Sequence, residues 1–424
     1  MASGGPYGLE ELVQDSGYRT ALALLVCVPL LWSLPTALMV GELSSAIPAE
    51  GGFYVWVGRA LGPFWGFQEA WLSLASSVFD MAVYPTVFVL SLAKLWPGAQ
   101  GRAGLLIAAT VIVACLLWNL LGARAVGDGS VALAALLLSP FVLITAYALF
   151  RHPAAASQGA SAAPGGPRDL LAGVLVAMWN YMGWDNASTV AGEVENPQRT
   201  YPRVMMIALG ASVLSYIIPV AAVWYAGLPS TSWTTGSWVG IASQIVGPWL
   251  GVALLLTAMV SAFGSVNSLS MSYSRLPLAM AEDGYLPKAF TRRLGNGAPW
   301  VSILVCGAAW MAALGLSFDR LLMLDILLYG ASLVLEFAAL VWLRVREPEL
   351  RRPFKIPGGL PVAVLIGVGP TALLAAALIK NRDEQMGQLH VSALSVGLAL
   401  MAAGVVLYFV AAALRRPRAI AAGN

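Results

Sequence analysis

The chain has 424 residues, 59% hydrophobic and only 11% charged, with a formal net charge of +3 and a mean hydropathy of +0.76. Soluble domains carry about a quarter charged residues, so a soluble globular fold is excluded, and a charge this small offers no electrostatic footprint for nucleic acid. Apolar runs of about 18 residues or more recur from end to end and predict helices that span a bilayer, since barrel strands would read as alternating segments of roughly ten.

In chain order, the polar stretch MASGGPYGLEELVQDSG (1–17) is too short to cross alone and is read as segment 1, a half helix. Full spans follow near 19–46, 64–95, 103–123, 129–150, 169–191, 203–227, 246–280, 299–317, 320–343, 359–380 and 391–414 as segments 2 to 12. The loop HPAAASQGASAAPGGP (152–167) is a low-complexity linker. Cys27, Cys115 and Cys306 lie inside apolar spans and read as small buried hydrophobes. His152 and His390 fall at span edges, so no metal or cofactor site is implied.

Placing the C-terminus, with its tail 415–424, on the cytoplasmic side puts two-thirds of the 24 Lys and Arg residues inside, as the positive-inside rule requires. Met1 then stands at mid-membrane depth. Segments 1–5 (about 1–150) and 6–10 (about 169–343) form two halves of opposite orientation, and 359–414 adds two helices. The break SGGPYG (3–8) opens the first half and NYMGWDN (180–186) the second. Gly- or Pro-interrupted segments at matching positions of inverted halves point to a transporter binding site, where freed backbone groups hold a substrate.

These residues carry a resemblance. SGGPYG, GELSSAIPAEGGFYVWVGRALGPFWGFQEAWL (41–72), NYMGWDNASTVAGEVENPQRTYPR (180–203), SRLPLAMAEDGYLP (274–287) and LEFAALVWLRVREPELRRPFKIPGG (335–359) resemble the amino acid–polyamine–organocation superfamily, most of all its polyamine uptake and L-type amino acid permeases. The resemblance covers the whole chain in order. It implies an all-α LeuT-like fold, a 5+5 inverted repeat plus two helices with segments 1 and 6 unwound. It also implies a cytoplasmic half of segment 1 ahead of the break, so that the first helix here is N-terminally truncated. Some proton-coupled bacterial relatives carry a lysine in segment 5; SVALAALLLSPFVLITAYALF has none.

An ionised carboxylate near the bilayer centre costs on the order of 3 kcal/mol, so such acids face a cavity or a partner. Four qualify by depth: Asp80, Asp185, Asp325 and Glu336, with no Lys or Arg at their level. A cationic ligand or a proton must neutralise them. Asp80 and Tyr84 share a helix face, and Asp325, Tyr329, Ser332 and Glu336 form one stripe at i, i+4, i+7 and i+11. Asp325 is read as an acid near the outer interface rather than a ligand. Trp179, Tyr181 and Trp184 flank the second break, where aromatic faces attract ammonium groups; Trp179 fits packing better. The serines 261, 265, 268 and 272 make a small-residue stripe that fits close helix packing, with Ser265 the candidate contact by family analogy. Glu42, Glu50, Glu193 and Glu195 are expected at the inner interface, paired with Arg59, Arg199 or Arg203.

The candidate substrate-binding set is therefore Ser3, Gly4, Gly5, Tyr7, Asp80, Tyr84, Asn180, Trp184, Asp185, Asn186, Ser265, Tyr329 and Glu336. Amides at Gly4, Gly5 and Gly8 suit a carboxylate, and the acids suit ammonium groups. The expected function is alternating-access transport of polyamines or cationic amino acids across the cytoplasmic membrane, coupled to protons rather than sodium. A neutral amino acid permease on the same scaffold is the second reading. A non-transporting sensor or inactive truncated product is the third. An enzyme is not expected, since no nucleophile–base pair or metal cluster occurs.

Overall fold

A computed structural model describes residues 5–151, 170–234, 236–316, 318–381, 385–386 and 391–415. The helices are α1 (Glu10–Leu31), α2 (Ser33–Ala46), α3 (Phe53–Leu61), α4 (Pro63–Leu95), α5 (Gly101–Asn119), α6 (Ala123–Arg151), α7 (Leu170–Asn180), α8 (Pro197–Tyr225), α9 (Trp238–Ile245), α10 (Pro248–Tyr273), α11 (Arg275–Glu282), α12 (Trp300–Ala312), α13 (Phe318–Arg346), α14 (Gly359–Asn381) and α15 (Ala393–Leu414). A two-residue hairpin, β1 (Gln385–Met386) and β2 (Val391–Ser392), joins the last two helices.

Nine helical stretches among the described residues are long and apolar enough to cross a membrane, and the chain is a multi-pass integral membrane protein. Two of the eleven expected full spans fall short of that length for local reasons. Segment 6 stops as an α-helix at Asn180 and continues as 3-10 turns, Asp185–Thr189 and Ala191–Glu193, not as the helix expected to residue 191. Asp, Asn, Ser and Thr cluster there and offer the backbone side-chain partners that compete with a helix. Segment 9 is only the 13 residues of α12. Segment 1 starts at Glu10 and is divided from segment 2 at Gly17, whose φ of 71° and ψ of 162° turn the chain. Segment 2 itself bends at Trp32, one turn before Pro35, which has no N–H to give the Leu31 carbonyl.

Two sets of helices stand out in the packing. α1, α2, α7 and α8 pack on one another, as do α4, α5, α10 and α12. In each group the members are offset by five segments: 1 and 2 with 6 and 7, 3 and 4 with 8 and 9. A second correspondence is local. Short helices α3 and α9, which the span count passed over, each lead through a glycine into a proline-started helix, Gly62–Pro63 into α4 and Gly247–Pro248 into α10. Proline suits the first helical position because its missing N–H would be unbonded there. Gly66 and Gly251 then sit at the same offset and allow close approach: a Cβ would stand 2.7 Å from Gly58 Cα in one case and 2.8 Å from the Val239 carbonyl oxygen in the other. This is the inverted five-segment repeat written into the backbone.

Cys115 and Cys306 are buried as expected, but Cys27 is exposed on the outer surface of α1. Ser3, Gly4 and the linker at 152–167 lie outside the described residues.

Candidate functional site

Both expected breaks are non-helical. Residues 5–8 form turns, with φ of 75° at Gly5 and 89° at Gly8, and residues 181–184 separate α7 from its 3-10 continuation, with φ of 90° at Gly183. A left-handed φ is nearly free for glycine and strained for other residues, so the glycines place the breaks. They lie side by side: a Cβ on Gly8 would stand 3.3 Å from the Trp179 ring and 3.7 Å from Asn180 Nδ2.

The freed backbone groups described here already have partners inside the protein. At the second break the Asn180 carbonyl accepts from Tyr216 (3.0 Å), and the Tyr181 carbonyl accepts from Ser33 (2.9 Å) and Trp184 Nε1 (2.7 Å). Gly183 N–H donates to the Tyr329 hydroxyl (3.0 Å). At the first break Gly8 N–H donates to Glu10 Oε2 (2.7 Å), and the Pro6 carbonyl accepts from Trp238 Nε1 (3.0 Å). Aromatic and hydroxyl side chains and the Glu10 carboxylate hold these groups, while Gly4, whose amide was also a candidate, lies outside the described residues. Buried backbone polar groups are nearly always paired, and unwinding a segment therefore recruited partners from α2, α8, α9 and α13.

What remains unneutralised is carboxylate. The Tyr329 hydroxyl donates to Asp185 Oδ1, and the backbone amides of Asp185 and Asn186 also serve that carboxylate. Asp185 is 1% exposed. It interacts electrostatically with Glu69, Asp80, Asp325 and Glu336, all of them buried. Asp80 accepts from Tyr273 (3.3 Å), which in turn takes the Asn186 amide (3.4 Å), and Tyr84 lies beside it. Asp325, read from sequence as an interfacial acid, is instead buried and accepts from Ser76 at 2.5 Å. Every ion pair recorded among the described residues lies elsewhere.

Three of these partners escaped the sequence reading: Glu69, Ser76 and Tyr273. A signal for the first two was present. Glu69, Ser73, Ser76, Asp80 and Tyr84 recur at i, i+4, i+7, i+11 and i+15 on α4, the spacing that singled out the stripe on α13. Other candidates sit apart from the acids. Tyr7 bonds the Leu254 carbonyl (2.8 Å) and Thr257 (2.8 Å) on α10 and packs edge-on to Phe141, while Gly5 lies against Leu137. Asn180 spends its amide on Val176 (2.9 Å). Ser265 is fully buried with no hydrogen-bond partner, and Ser268 bonds Ser130 of α6 (2.9 Å).

At the side that carries the basic loops, Glu42, Glu50 and Glu193 are paired with bases other than those expected, and no ion pair is recorded for Glu195. Glu42 is buried with Arg344 and Arg352 and also takes the Ile356 N–H (2.8 Å). Glu193 pairs with Arg275 (2.9 Å), Glu50 with Arg293 (2.8 Å), and Arg59 with Glu347 (2.6 Å). Burial pushes the Glu50 carboxyl up from its ordinary value and Arg293 opposes the shift. Arg275, Arg293 and Arg344 lie far along the chain from these acids, so sequence proximity had favoured the wrong bases. Glu50 also bridges Val190 through the backbone, and Gly51 N–H donates to the Thr189 carbonyl (2.9 Å), which closes this side over the 3-10 turns of segment 6.

Comparison with known proteins gives a consistent result. A family model described as amino acid permease matches residues 1–401. The Arabidopsis thaliana polyamine transporter RMV1 is 35% identical over 404 residues, covering 94% of this chain and 81% of its own length. The polyamine transporter PUT1 of Oryza sativa subsp. japonica is 34% identical over 417 residues, 96% of this chain and 75% of its own. The serine/threonine exchanger SteT of Bacillus subtilis is 24% identical over 364 residues, 82% and 81% of the two chains.

Proposed function

Because the chain belongs to the amino acid permease family and is a membrane transporter rather than an enzyme, we propose that it carries organic cations, polyamines or cationic amino acids, by alternating access, bound at the acids gathered around the break of segment 6. The observation that carries this reading is the set of five buried carboxyl groups, Glu69, Asp80, Asp185, Asp325 and Glu336, with no basic side chain among their recorded ion-pair partners. A buried ion without a counter-charge costs several kcal/mol, and a cationic substrate supplies the counter-charge. The relatives named as polyamine transporters support the same substrate class.

Proton coupling through one of these carboxyl groups is part of the proposal: a proton neutralises the acid when the cation has left. The proposed setting is the cytoplasmic membrane with the C-terminus inside, as the Lys and Arg bias favours. The neutral amino acid reading needs a carboxylate cradle at the first break. There the Gly8 amide is already taken by Glu10, which favours the cation reading. Uptake of labelled putrescine, spermidine, arginine and leucine into proteoliposomes tests the proposal. Uptake of one or more of the cations supports it, and uptake of leucine alone overturns it.

A further inference from the structure

The acidic groups are not a random cluster but two facing files. On α4 the file runs Glu69, Ser73, Ser76, Asp80, Tyr84; on α13 it runs Asp325, Tyr329, Ser332, Glu336. The two helices pack tightly against each other. They run antiparallel, because Ser76 meets Asp325 at 2.5 Å while Arg59, just ahead of α4, pairs with Glu347, just past the end of α13, at 2.6 Å. Eleven residues of helix rise about 16 Å, so each file places an acid at both ends of a seam of that length. Asp185, from the break of segment 6, meets this seam between its ends, where Tyr329 donates to it.

The two ends are satisfied differently. At the Asp80–Asp325 end, Tyr273 and Ser76 donate hydrogen bonds, and Asp325 Oδ2 is the one carboxyl oxygen left without a partner. At the Glu69–Glu336 end, Glu69 has a single long contact from Ser73 (3.3 Å) and its Oε2 has no partner. Neither carboxyl oxygen of Glu336 has a partner, although the side chain is 0% exposed. Leaving a buried acceptor unbonded is costly, and more so when it can carry charge. An ammonium group matches what is missing, since it brings positive charge and only donors.

We propose that Glu69 and Glu336 form a second ammonium subsite, separate from Asp185, so that a linear oligoamine lies lengthwise along the α4–α13 seam with successive nitrogens at Asp185 and at Glu69/Glu336. This rests on the cation reading above and adds a selectivity to it. A cation with one ammonium group fills one subsite only, while a chain of two or more, spaced by methylenes, fills both.

The test compares equilibrium binding of 1-aminobutane, 1,4-diaminobutane and spermidine to the full chain in nanodiscs, for the wild type, Glu336→Gln and Glu69→Gln. The wild type binds both oligoamines more tightly than the monoamine. In each variant the oligoamine-to-monoamine affinity ratio falls at least ten-fold. Carbodiimide labelling of the wild type, mapped by peptide mass, gives a readout that needs no variant: spermidine protects Glu336 and Glu69, and 1-aminobutane does not. If the ratio is unchanged in a folded variant, or spermidine fails to protect either glutamate, the subsite is refuted while the cation reading stands. If neither the amines nor arginine, added as a control, bind the wild type at all, the parent reading has failed instead. If both glutamines shift the pH profile of uptake equally for every amine and leave the ratio alone, the pair is a proton site and the proposal is overturned.

Discussion

Replacing Asp185 with Asn keeps the side chain's size and one acceptor while removing its charge. In the wild type the carboxylate takes the Tyr329 hydroxyl and the amides of Asp185 and Asn186. The Asn carbonyl oxygen keeps the Tyr329 bond, so the break stays closed and the protein folds. What is lost is the charge-assisted contact to a substrate ammonium, worth about 1.5–3 kcal/mol or roughly 10- to 150-fold in affinity. We expect that loss for spermidine and arginine, read by thermal-shift titration or by uptake, with leucine binding spared or improved. Glu69 and Glu336 soften the effect for oligoamines, which have a second anchor, so arginine is expected to lose more than spermidine. Unchanged affinity for every cation, in a variant that melts as the wild type does, would refute the assignment of Asp185 as an ammonium ligand.

The other predictions concern the closed side. Gly52→Ala places a Cβ 2.1 Å from Ser188 Oγ at a φ of 37°, so it forces residues 50–52 away from the turns of segment 6; overpacking of this kind costs about 1–3 kcal/mol. A lower melting temperature with slowed uptake is expected, and no change in either would contradict the closure described. Glu42→Gln leaves Arg344 and Arg352 buried without their shared acid, a loss of about 3–5 kcal/mol that should appear as poor recovery of folded protein. Arg59→Ala breaks a half-exposed pair with Glu347 and costs under about 1 kcal/mol. The Arg59 guanidinium holds Glu347 below the usual carboxylate range. That contribution is therefore full above about pH 4.3 and lost only as the pH falls through the depressed value, which a pH series of melting curves of wild type and variant would show.

The spans, the two breaks and the placement of Asp185 were readable because each rests on a local rule: apolar length, glycine at a left-handed φ, and the cost of an acid in lipid. Asp80, Tyr329 and Glu336 were readable from helical spacing. Glu69 was not. Its stripe was there in the sequence, but Glu69 stands only five residues past the expected start of its span, and the packing of α4 against α13 is what buries it. Tyr273 and the partners of Glu42, Glu50 and Glu193 depend on contacts between elements far apart in sequence, which no local pattern encodes. The short helices α3 and α9 fell below span length, yet the glycine–proline entries that follow them mark the repeat more sharply than the apolar runs do.

The central claim is that buried acids with no internal base are answered by a cationic substrate. Isothermal titration of spermidine, arginine and leucine into the wild-type protein in nanodiscs tests it most directly. The account predicts saturable binding of spermidine, arginine or both, with leucine weaker by at least ten-fold. Saturable binding of leucine, with no heat from either cation, would contradict it.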